Sequence, residues 1–254
     1  MPAVVVGLSL VVGLLLGLMG GGGSILTVPL LTLVAGMDAK EAVPSSLVMV
    51  DAASLVAALV HARRGAVAWR TGLTFGAASM AGALAGGFVG GMLPGPVLMV
   101  GFAAIMLVSA LKMIRAGRGG GAGHDDAAPA RVPPARIVAQ GVGVGLITGV
   151  VGAGGGFLIV PALVLLARMP MARAVGTSLL VIALNSAMGL VGHLGSTSLD
   201  WSLLGPATAA AAGAGVVGVL LAHRVPARAL KTAFGWFVLA MGVLILGQQA
   251  ALLL

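Results

Sequence analysis

The chain has 254 residues, of which 59% are hydrophobic and only 8% are charged. A soluble domain carries about 25% charged residues, so this composition excludes an ordinary water-soluble fold and predicts an all-α integral membrane protein. The net charge of +8 does not indicate a nucleic-acid partner, because the basic residues lie in short loops between apolar runs, where membrane topology explains them.

Ten apolar segments follow one another along the chain, five in each half. They cover residues 3–19, 25–36, 43–60, 71–92 and 96–114, then 137–151, 157–167, 174–193, 202–222 and 229–248. No basic residue precedes the first segment, which predicts a membrane helix rather than a signal peptide.

The second and seventh segments are too short to cross a bilayer. About 12 helical residues reach roughly 18 Å, whereas the hydrocarbon core is about 30 Å thick. Each segment begins at a glycine cluster, so we expect a broken or re-entrant hairpin whose glycine turn lies inside the membrane. Protein or water must surround such a segment, because its unpaired backbone groups cannot face lipid.

The two halves of the sequence are copies of one another. The string GLMGGGGSILTVPLL starts at Gly17 and GVVGAGGGFLIVPAL starts at Gly149, an offset of 132 residues. The same offset relates Ser46 to Ser178 without a gap. Chance does not keep one register over such a span, so the chain consists of two homologous repeats.

The distribution of basic residues predicts the orientation of these repeats. If the N-terminus lies outside and every segment crosses, 13 of the 14 Lys and Arg residues fall in cytoplasmic loops, and only Lys40 lies outside. Each half then crosses an odd number of times, so the repeats are inverted, as in many transporters. We expect a first repeat at 1–115, a flexible cytoplasmic linker at 116–135 and a second repeat at 136–254.

Glycine clusters open both short segments. Without Cβ atoms the backbone can turn sharply and expose its N–H groups, and a helix that starts there directs its positive dipole end to the same point. Two such ends from inverted repeats predict an anion site near the midplane, although tight helix packing is the alternative explanation. The residues concerned are Gly20, Gly21, Gly22, Gly23 and Ser24, and in the second half Gly152, Gly154, Gly155 and Gly156.

Small hydroxyls and one acid follow the glycine clusters. The strings VPSS and VGTS contribute Ser45, Ser46, Thr177 and Ser178, whose hydroxyls either cap a helix or contact the anion. Asp51 lies inside the third segment, where an acid is costly and therefore indicates function. It is a candidate proton carrier, with a structural hydrogen bond as the alternative.

Other polar residues carry weaker signals. His61 and His193 end equivalent segments and can bind protons near neutral pH, but anchoring a helix end is the commoner role. His124, Asp125 and Asp126 indicate a solvated loop rather than a metal site. The chain lacks a P-loop lysine, so we expect neither an ATP-driven motor nor a cofactor.

The doubled G-x-x-G-x-G-G-(G/S)-x-x-x-V-P signature resembles that of the sulfite exporter TauE/SafE family of membrane permeases. The following VPSS and VGTS strings and the spacing from His to Trp add to the resemblance, which covers nearly the whole chain. VPSS departs from the family's usual G-T-S pattern, so the two half-sites are not equal.

The resemblance implies a bacterial or archaeal inner-membrane permease that exports sulfite or a small organosulfonate such as sulfoacetate. We therefore expect a secondary transporter for a small anion, with protons as the candidate coupling ion. A passive anion channel is the main alternative. A membrane-embedded enzyme is a weaker one, because the sequence offers few side chains for a catalytic cluster.

Overall fold

The computed structural model describes residues 2–37, 39–90, 95–118, 133–151, 156–191 and 200–253. All regular structure in these ranges is helical, which confirms the all-α prediction. The helices are α1 (Pro2–Met19), α2 (Ser24–Pro29), α3 (Ala39–Arg63), α4 (Trp69–Gly90), α5 (Gly95–Arg118), α6 (Pro134–Val151), α7 (Gly156–Pro161), α8 (Met171–Val191), α9 (Trp201–Ala222) and α10 (Ala227–Leu253). Among the described residues, four helical stretches are long and apolar enough to cross a membrane: Glu41–Arg63, Met171–Val191, Trp201–Ala222 and Ala227–Gly247.

The helix boundaries repeat along the chain at the offset found in the sequence. Helix α1 starts at Pro2 and α6 at Pro134, and α4 starts at Trp69 and α9 at Trp201, in each case 132 residues later. Several helices extend beyond the apolar segments; α3, for example, runs to Arg63 although the apolar run ends near residue 60. Backbone hydrogen bonding continues past the apolar run because a helix also forms from the charged residues at its end.

Both short helices change their hydrogen-bond pattern at an equivalent proline. Helix α2 ends at Pro29 and α7 at Pro161, and a π-helical turn of five residues follows each. Proline has no N–H and crowds the carbonyl four residues earlier, so it interrupts the α-helical ladder. Beyond each π turn a backbone N–H donates to the carbonyl five residues earlier. Ala35 donates to Leu30 at 3.2 Å, and the equivalent bond in the second half is 3.1 Å long. Both segments therefore pass from α-helical to π-helical hydrogen bonding after the proline, with right-handed helical backbone at the junction.

The described chain forms two compact units, and neither coincides with one sequence repeat. The first unit combines Met1–Gly72 with Ala172–Arg224 and so contains α1 to α3, nearly all of α8, and α9. The second combines Leu73–Met171 with Val225–Leu254 and contains most of α4, α5 to α7, and α10. Each unit thus takes helices from both repeats.

Glycines allow very close contact between α1 and α9 in the first unit. A Cβ atom at Gly13 would overlap the carbonyl oxygen of Ala211, and one at Gly17 would overlap that of Gly215. The paired residue numbers rise together, so the two helices run parallel. Small residues at such an interface let helix backbones approach closely in a membrane, where dispersion contacts drive association.

The second unit contains the equivalent interface between α6 and α4. A Cβ atom at Gly145 would overlap the carbonyl oxygen of Ser79, and one at Gly149 would overlap that of Ala83. These residues are the repeat equivalents of the glycines and carbonyls that join α1 to α9. The first helix of each repeat therefore packs against the fourth helix of the other repeat.

Equivalent helices α3 and α8 run antiparallel in the first unit. A Cβ atom at Gly176, near the start of α8, would lie 3.0 Å from the Cβ of His61 at the end of α3. At the other end, a Cβ atom at Gly189 would lie 3.3 Å from a methyl group of Leu47.

Helices α5 and α10 of the second unit are also equivalent and also antiparallel. A Cβ atom at Gly235 would lie 2.7 Å from Ile114, and one at Gly242 would lie 3.3 Å from Leu107. In both units, therefore, a helix packs against its own repeat equivalent in the opposite direction.

Large apolar side chains lie on exposed faces of the helices as well as in the buried cores of the two units. Phe88 is 80% exposed and Leu84 72% exposed, both on α4. Water-soluble proteins rarely expose large contiguous apolar patches, whereas lipid accommodates them readily. The buried cores contain Leu16, Met49 and Leu179 in the first unit and Phe75, Phe157 and Phe234 in the second.

Candidate functional site

Two of the four predicted hydroxyls are committed to nearby backbone carbonyls. Ser46 donates a 2.7 Å hydrogen bond to the carbonyl of Val43, three residues earlier in α3. The equivalent Ser178 donates to the carbonyl of Val175 at 2.8 Å, and to that of Gly20 at the same distance. A hydroxyl has a single hydrogen, so neither serine offers a free donor in this arrangement.

The first glycine cluster meets the V-G-T-S string of the other repeat in the first unit. Gly20 has φ +74°, and a Cβ atom there would lie 2.6 Å from the Ser178 hydroxyl oxygen. A Cβ atom at Gly23 would overlap the carbonyl oxygen of Val12 on α1. At Gly20 and Gly23, close packing by itself requires glycine. An anion contact at the cluster stays a prediction.

The remaining predicted glycines differ in what can be said of them. Gly21 and Gly22 are buried, and the hydroxyl of Ser24 donates a 2.8 Å bond to the carbonyl of Gly21. Gly156 is buried at the start of α7. Gly152, Gly154 and Gly155 lie outside the described residues.

The other two predicted hydroxyls have no acceptor for their hydrogens among the described residues. Ser45 is fully buried, and its oxygen has no hydrogen-bond partner. Its equivalent Thr177 is also fully buried and accepts a 3.0 Å bond from the backbone N–H of Ala68, just before α4. Burying a hydroxyl without a partner costs about 1–3 kcal/mol, so Ser45 in particular calls for a ligand or a water molecule.

The start of α9 differs from the start of α4. The equivalent of Ala68 is Asp200, whose carboxylate accepts a 3.0 Å bond from the backbone N–H of Ser202 and thereby caps α9. The Ser202 hydroxyl donates a 2.6 Å bond to the same carboxylate oxygen, and this bond and then the backbone one hold the pKa of Asp200 below its ordinary value. Thus α9 is capped by its own Asp200 side chain.

The two hydroxyl pairs lie at opposite ends of the antiparallel α3–α8 pair. Thr177 follows Gly176, which packs against His61. Ser45 precedes His61 by 16 residues, which corresponds to about 24 Å of helical rise. We call Gly20, Thr177 and Ser178 the first half-site. We call the equivalent hydroxyls Ser45 and Ser46 the second half-site; Gly152, the equivalent of Gly20, lies outside the described residues.

Asp51 belongs to a polar stripe on α3 that sequence reasoning did not identify. The half-buried Asp51 is followed by Ser54, which is fully buried and has no hydrogen-bond partner within the described part of the chain. Residues three and ten positions apart on a helix share a face, so Asp51, Ser54 and His61 form one stripe. The i, i+3, i+10 spacing of polar residues in an apolar helix was the available signal.

His61 is buried beside a second histidine. It is 1% exposed, and neither ring nitrogen has a hydrogen-bond partner, although the Gly17 backbone lies nearby. The ring centroid of His223, which follows α9, lies 5.5 Å from that of His61. Partial burial and then the charge of Arg64 lower the pKa of His223. The sequence did not single out His223, because its repeat equivalent is a glycine, Gly91.

The other candidate residues from the sequence fall in parts of the chain that the structure does not describe. His193, His124, Asp125 and Asp126 lie outside the described residues. In the part of the chain that the structure describes, no group of three or more His, Cys, Asp or Glu side chains is placed to hold a metal ion.

Comparison with known proteins gives a consistent answer. The family described as sulfite exporter TauE/SafE matches residues 5–245. A probable membrane transporter protein of Xylella fastidiosa strain 9a5c is 32% identical over 251 residues, covering 98% of this chain and 96% of its own. A probable membrane transporter protein of Bacillus subtilis is 27% identical over 218 residues, covering 78% and 80% of the two chains. One from Methanocaldococcus jannaschii is 29% identical over 191 residues, covering 72% and 69%.

No solved structure matches the chain. The family match extends from α1 into α10 and so includes both short helices, both hydroxyl pairs and the polar stripe of α3. The helical architecture, the apolar exterior and this match agree, and the chain belongs to the TauE/SafE sulfite exporter family of membrane transporters.

Proposed function

We propose that this protein is a secondary transporter that exports a small sulfur oxyanion or organosulfonate, of the sulfite or sulfoacetate kind, across the inner (plasma) membrane. The observation that carries this proposal is the match to a family described as sulfite exporters over residues 5–245. The relatives are named only as probable membrane transporters, so the anion is our inference from the family and from the site.

Inverted repeats are part of this proposal. Two pairs of repeat equivalents, α3 with α8 and α5 with α10, pack antiparallel, which is the relation expected between halves that cross the membrane in opposite directions. The parallel directions of α1 and α9 agree with the crossings assigned from the basic residues. We propose that α1 with α2, and α6 with α7, form broken or re-entrant hairpins, because neither α2 nor α7 is long enough to span hydrocarbon. Such hairpins leave the predicted sides of the basic residues unchanged.

Within the site, we propose that Ser45 and Thr177 are the hydroxyls that donate to the oxygens of the anion. Both are fully buried, and neither commits its hydrogen to an acceptor in the described structure. Ser46 and Ser178 instead hold the backbone that surrounds them. The two half-sites lie at opposite ends of the α3–α8 pair, so each would contact the anion from one side of the membrane.

The test is transport by purified protein in proteoliposomes, with sulfite and sulfoacetate as substrates. We expect the parent to concentrate at least one of them against its gradient when a proton gradient or membrane potential is imposed. Ser45→Ala should raise the half-saturating concentration about tenfold, as expected for one lost hydrogen bond to a charged group, and should leave thermal stability unchanged. Ser46→Ala is the matched control, because its hydrogen is already committed.

Other results would change the proposed function. Rapid flux that only dissipates gradients would make the protein an anion channel, which shares the same pore chemistry. A parent that moves neither anion would refute the proposed substrate class. Equal loss of transport in Ser45→Ala and Ser46→Ala would remove the special role of Ser45 without affecting the family assignment.

A further inference from the structure

His61 is a buried polar group whose ring makes no hydrogen bond of ordinary geometry within the described fold, although the Gly17 backbone lies close to it. It is 1% exposed at the end of α3, and both of its nitrogens lack a hydrogen-bond partner. A neutral imidazole carries one N–H donor, and a buried donor without an acceptor is costly. Such exceptions in a folded protein indicate a bound ligand, ion or water molecule.

The charged and titratable groups that act on His61 are all cationic or able to become so. On α9 the group is His223, whose ring centroid lies 5.5 Å away, and directly after α3 it is Arg64. Helices α1 and α8 contribute the Gly17 backbone and Gly176, which carry no charge. His223 and Arg64 are both exposed, so they connect the buried imidazole to the surface of the first unit.

We propose that His61, His223 and Arg64 form an anion-binding site in which the transported anion and a proton bind together. This inference rests on the proposed function, because the anion is the transported one. The site adjoins the first half-site, since Gly176 contacts His61 and precedes Thr177. An oxyanion or sulfonate has several acceptor oxygens, which suit two imidazole donors and a guanidinium fork.

Electrostatics links the anion to the proton at this site. Arg64 is permanently charged and lowers the pKa of His223, so an empty site favours neutral imidazole. A bound anion offsets that positive field and raises the proton affinity of both rings. Linkage is reciprocal, so protonation must strengthen anion binding by the same factor. A divalent cation is disfavoured here, because Arg64 repels it and only two histidines are available as ligands.

The experiment measures binding of methanesulfonate to the purified full-length protein by calorimetry. This monoanion keeps its charge from about pH 8 to about pH 5, where histidine titrates, so any pH dependence belongs to the protein. We expect binding about tenfold tighter at about pH 5.5 than at about pH 7.5, with proton uptake on binding. His61→Asn and His223→Asn should each weaken the pH dependence, and Arg64→Gln should weaken binding about tenfold at both pH values.

Arg63→Gln is the matched control. It removes the same charge from the neighbouring residue, whose side chain does not act on His61. His223 is exposed, so its variant should fold even if replacement of the buried His61 disturbs the structure. A parent that does not bind methanesulfonate, or binds it equally at both pH values, would overturn the proposal. So would Zn²⁺ binding that His61→Asn abolishes while methanesulfonate binding is unchanged.

The proposed function can survive the failure of this inference. If His61→Asn and His223→Asn proteoliposomes transport sulfite with the pH dependence of the parent, co-binding of anion and proton at this cluster is refuted. The transporter assignment then still stands.

Discussion

The Ser178 hydroxyl donates a 2.8 Å hydrogen bond to the backbone carbonyl of Gly20, 158 residues earlier in the chain. This bond joins the end of α1 in the first repeat to the start of α8 in the second. Gly20 has a positive φ and no room for a Cβ atom, so the contact depends on glycine as well as on serine. The first half-site is therefore built from both repeats.

Replacement of Ser178 by alanine tests this connection. The variant loses the bond to Gly20, and we expect the free energy of unfolding to fall by about 1 kcal/mol, the usual contribution of a hydrogen bond. The unfolding midpoint in detergent is the measurement. Ser46→Ala is the equivalent control and should cost less, because Ser46 bonds only within its own helix. Equal losses would mean that the bond to Gly20 adds nothing.

The glycine interface between α1 and α9 provides a second prediction. Gly13→Ala places a methyl group where the Ala211 carbonyl lies, so the helices must separate or the chain must misfold. We expect a loss of about 3 kcal/mol or more, or loss of folded protein in size-exclusion chromatography. Gly7→Ala in the same helix has no neighbour within 4 Å and should be tolerated. Full stability of Gly13→Ala would show that this interface is looser than described.

Left-handed backbone at equivalent positions leads to a third prediction. Gly36 has φ +70° and its equivalent Arg168 has φ +52°. Nothing lies within 4 Å of a Cβ atom at Gly36, so Gly36→Ala adds only backbone strain and should cost about 1 kcal/mol. Arg168→Gly should relieve such strain and raise the unfolding midpoint. The gain is reduced in part because glycine has a greater conformational entropy in the unfolded chain. Midpoint shifts of the same sign for both variants would contradict this account.

Membrane topology can be tested in this cysteine-free chain. Single cysteines at Gly121 and Ser198 should report opposite sides, since basic residues place the linker inside and both termini outside. A membrane-impermeant thiol reagent added to intact cells should label Ser198→Cys and should not reach Gly121→Cys until the cells are opened. The reverse labelling pattern would refute the orientation on which the inverted repeats depend.

Asp51 is the predicted proton carrier, and Asp51→Asn fixes it in a neutral form of nearly the same size. We expect the variant to bind and exchange the anion across the membrane, because the half-sites are intact. It should fail to concentrate the anion against a gradient, since an amide cannot release a proton. Glu41→Gln, in the exposed first turn of the same helix, is the control. Uphill transport by Asp51→Asn equal to that of the parent would leave Asp51 as a hydrogen-bonding residue.

The sequence alone determined the helices, their order and the repeat. Apolar run length and the offset of 132 residues are local or internal properties of the chain, so they survive without knowledge of contacts. Segment length and the glycine clusters likewise predicted a broken or re-entrant hairpin in each half; the structure adds the π-helical turn that follows each proline. The pattern of basic residues likewise predicts the orientation of the membrane segments, because it too is a property of the sequence alone.

Only the tertiary structure decided how the repeats combine. Pairing of α1 with α9 depends on contacts between residues such as Gly13 and Ala211, 198 positions apart, and pairing of α6 with α4 on contacts such as that of Gly145 with Ser79, 66 positions apart. No sequence periodicity reports such contacts. The structure also separated Ser45, whose hydroxyl is buried and unpartnered, from Ser46, whose hydrogen is committed. His61 and His223 lie together because the parallel helices α3 and α9 end at the same level. This arrangement results from long-range packing, which the sequence around either histidine does not reveal.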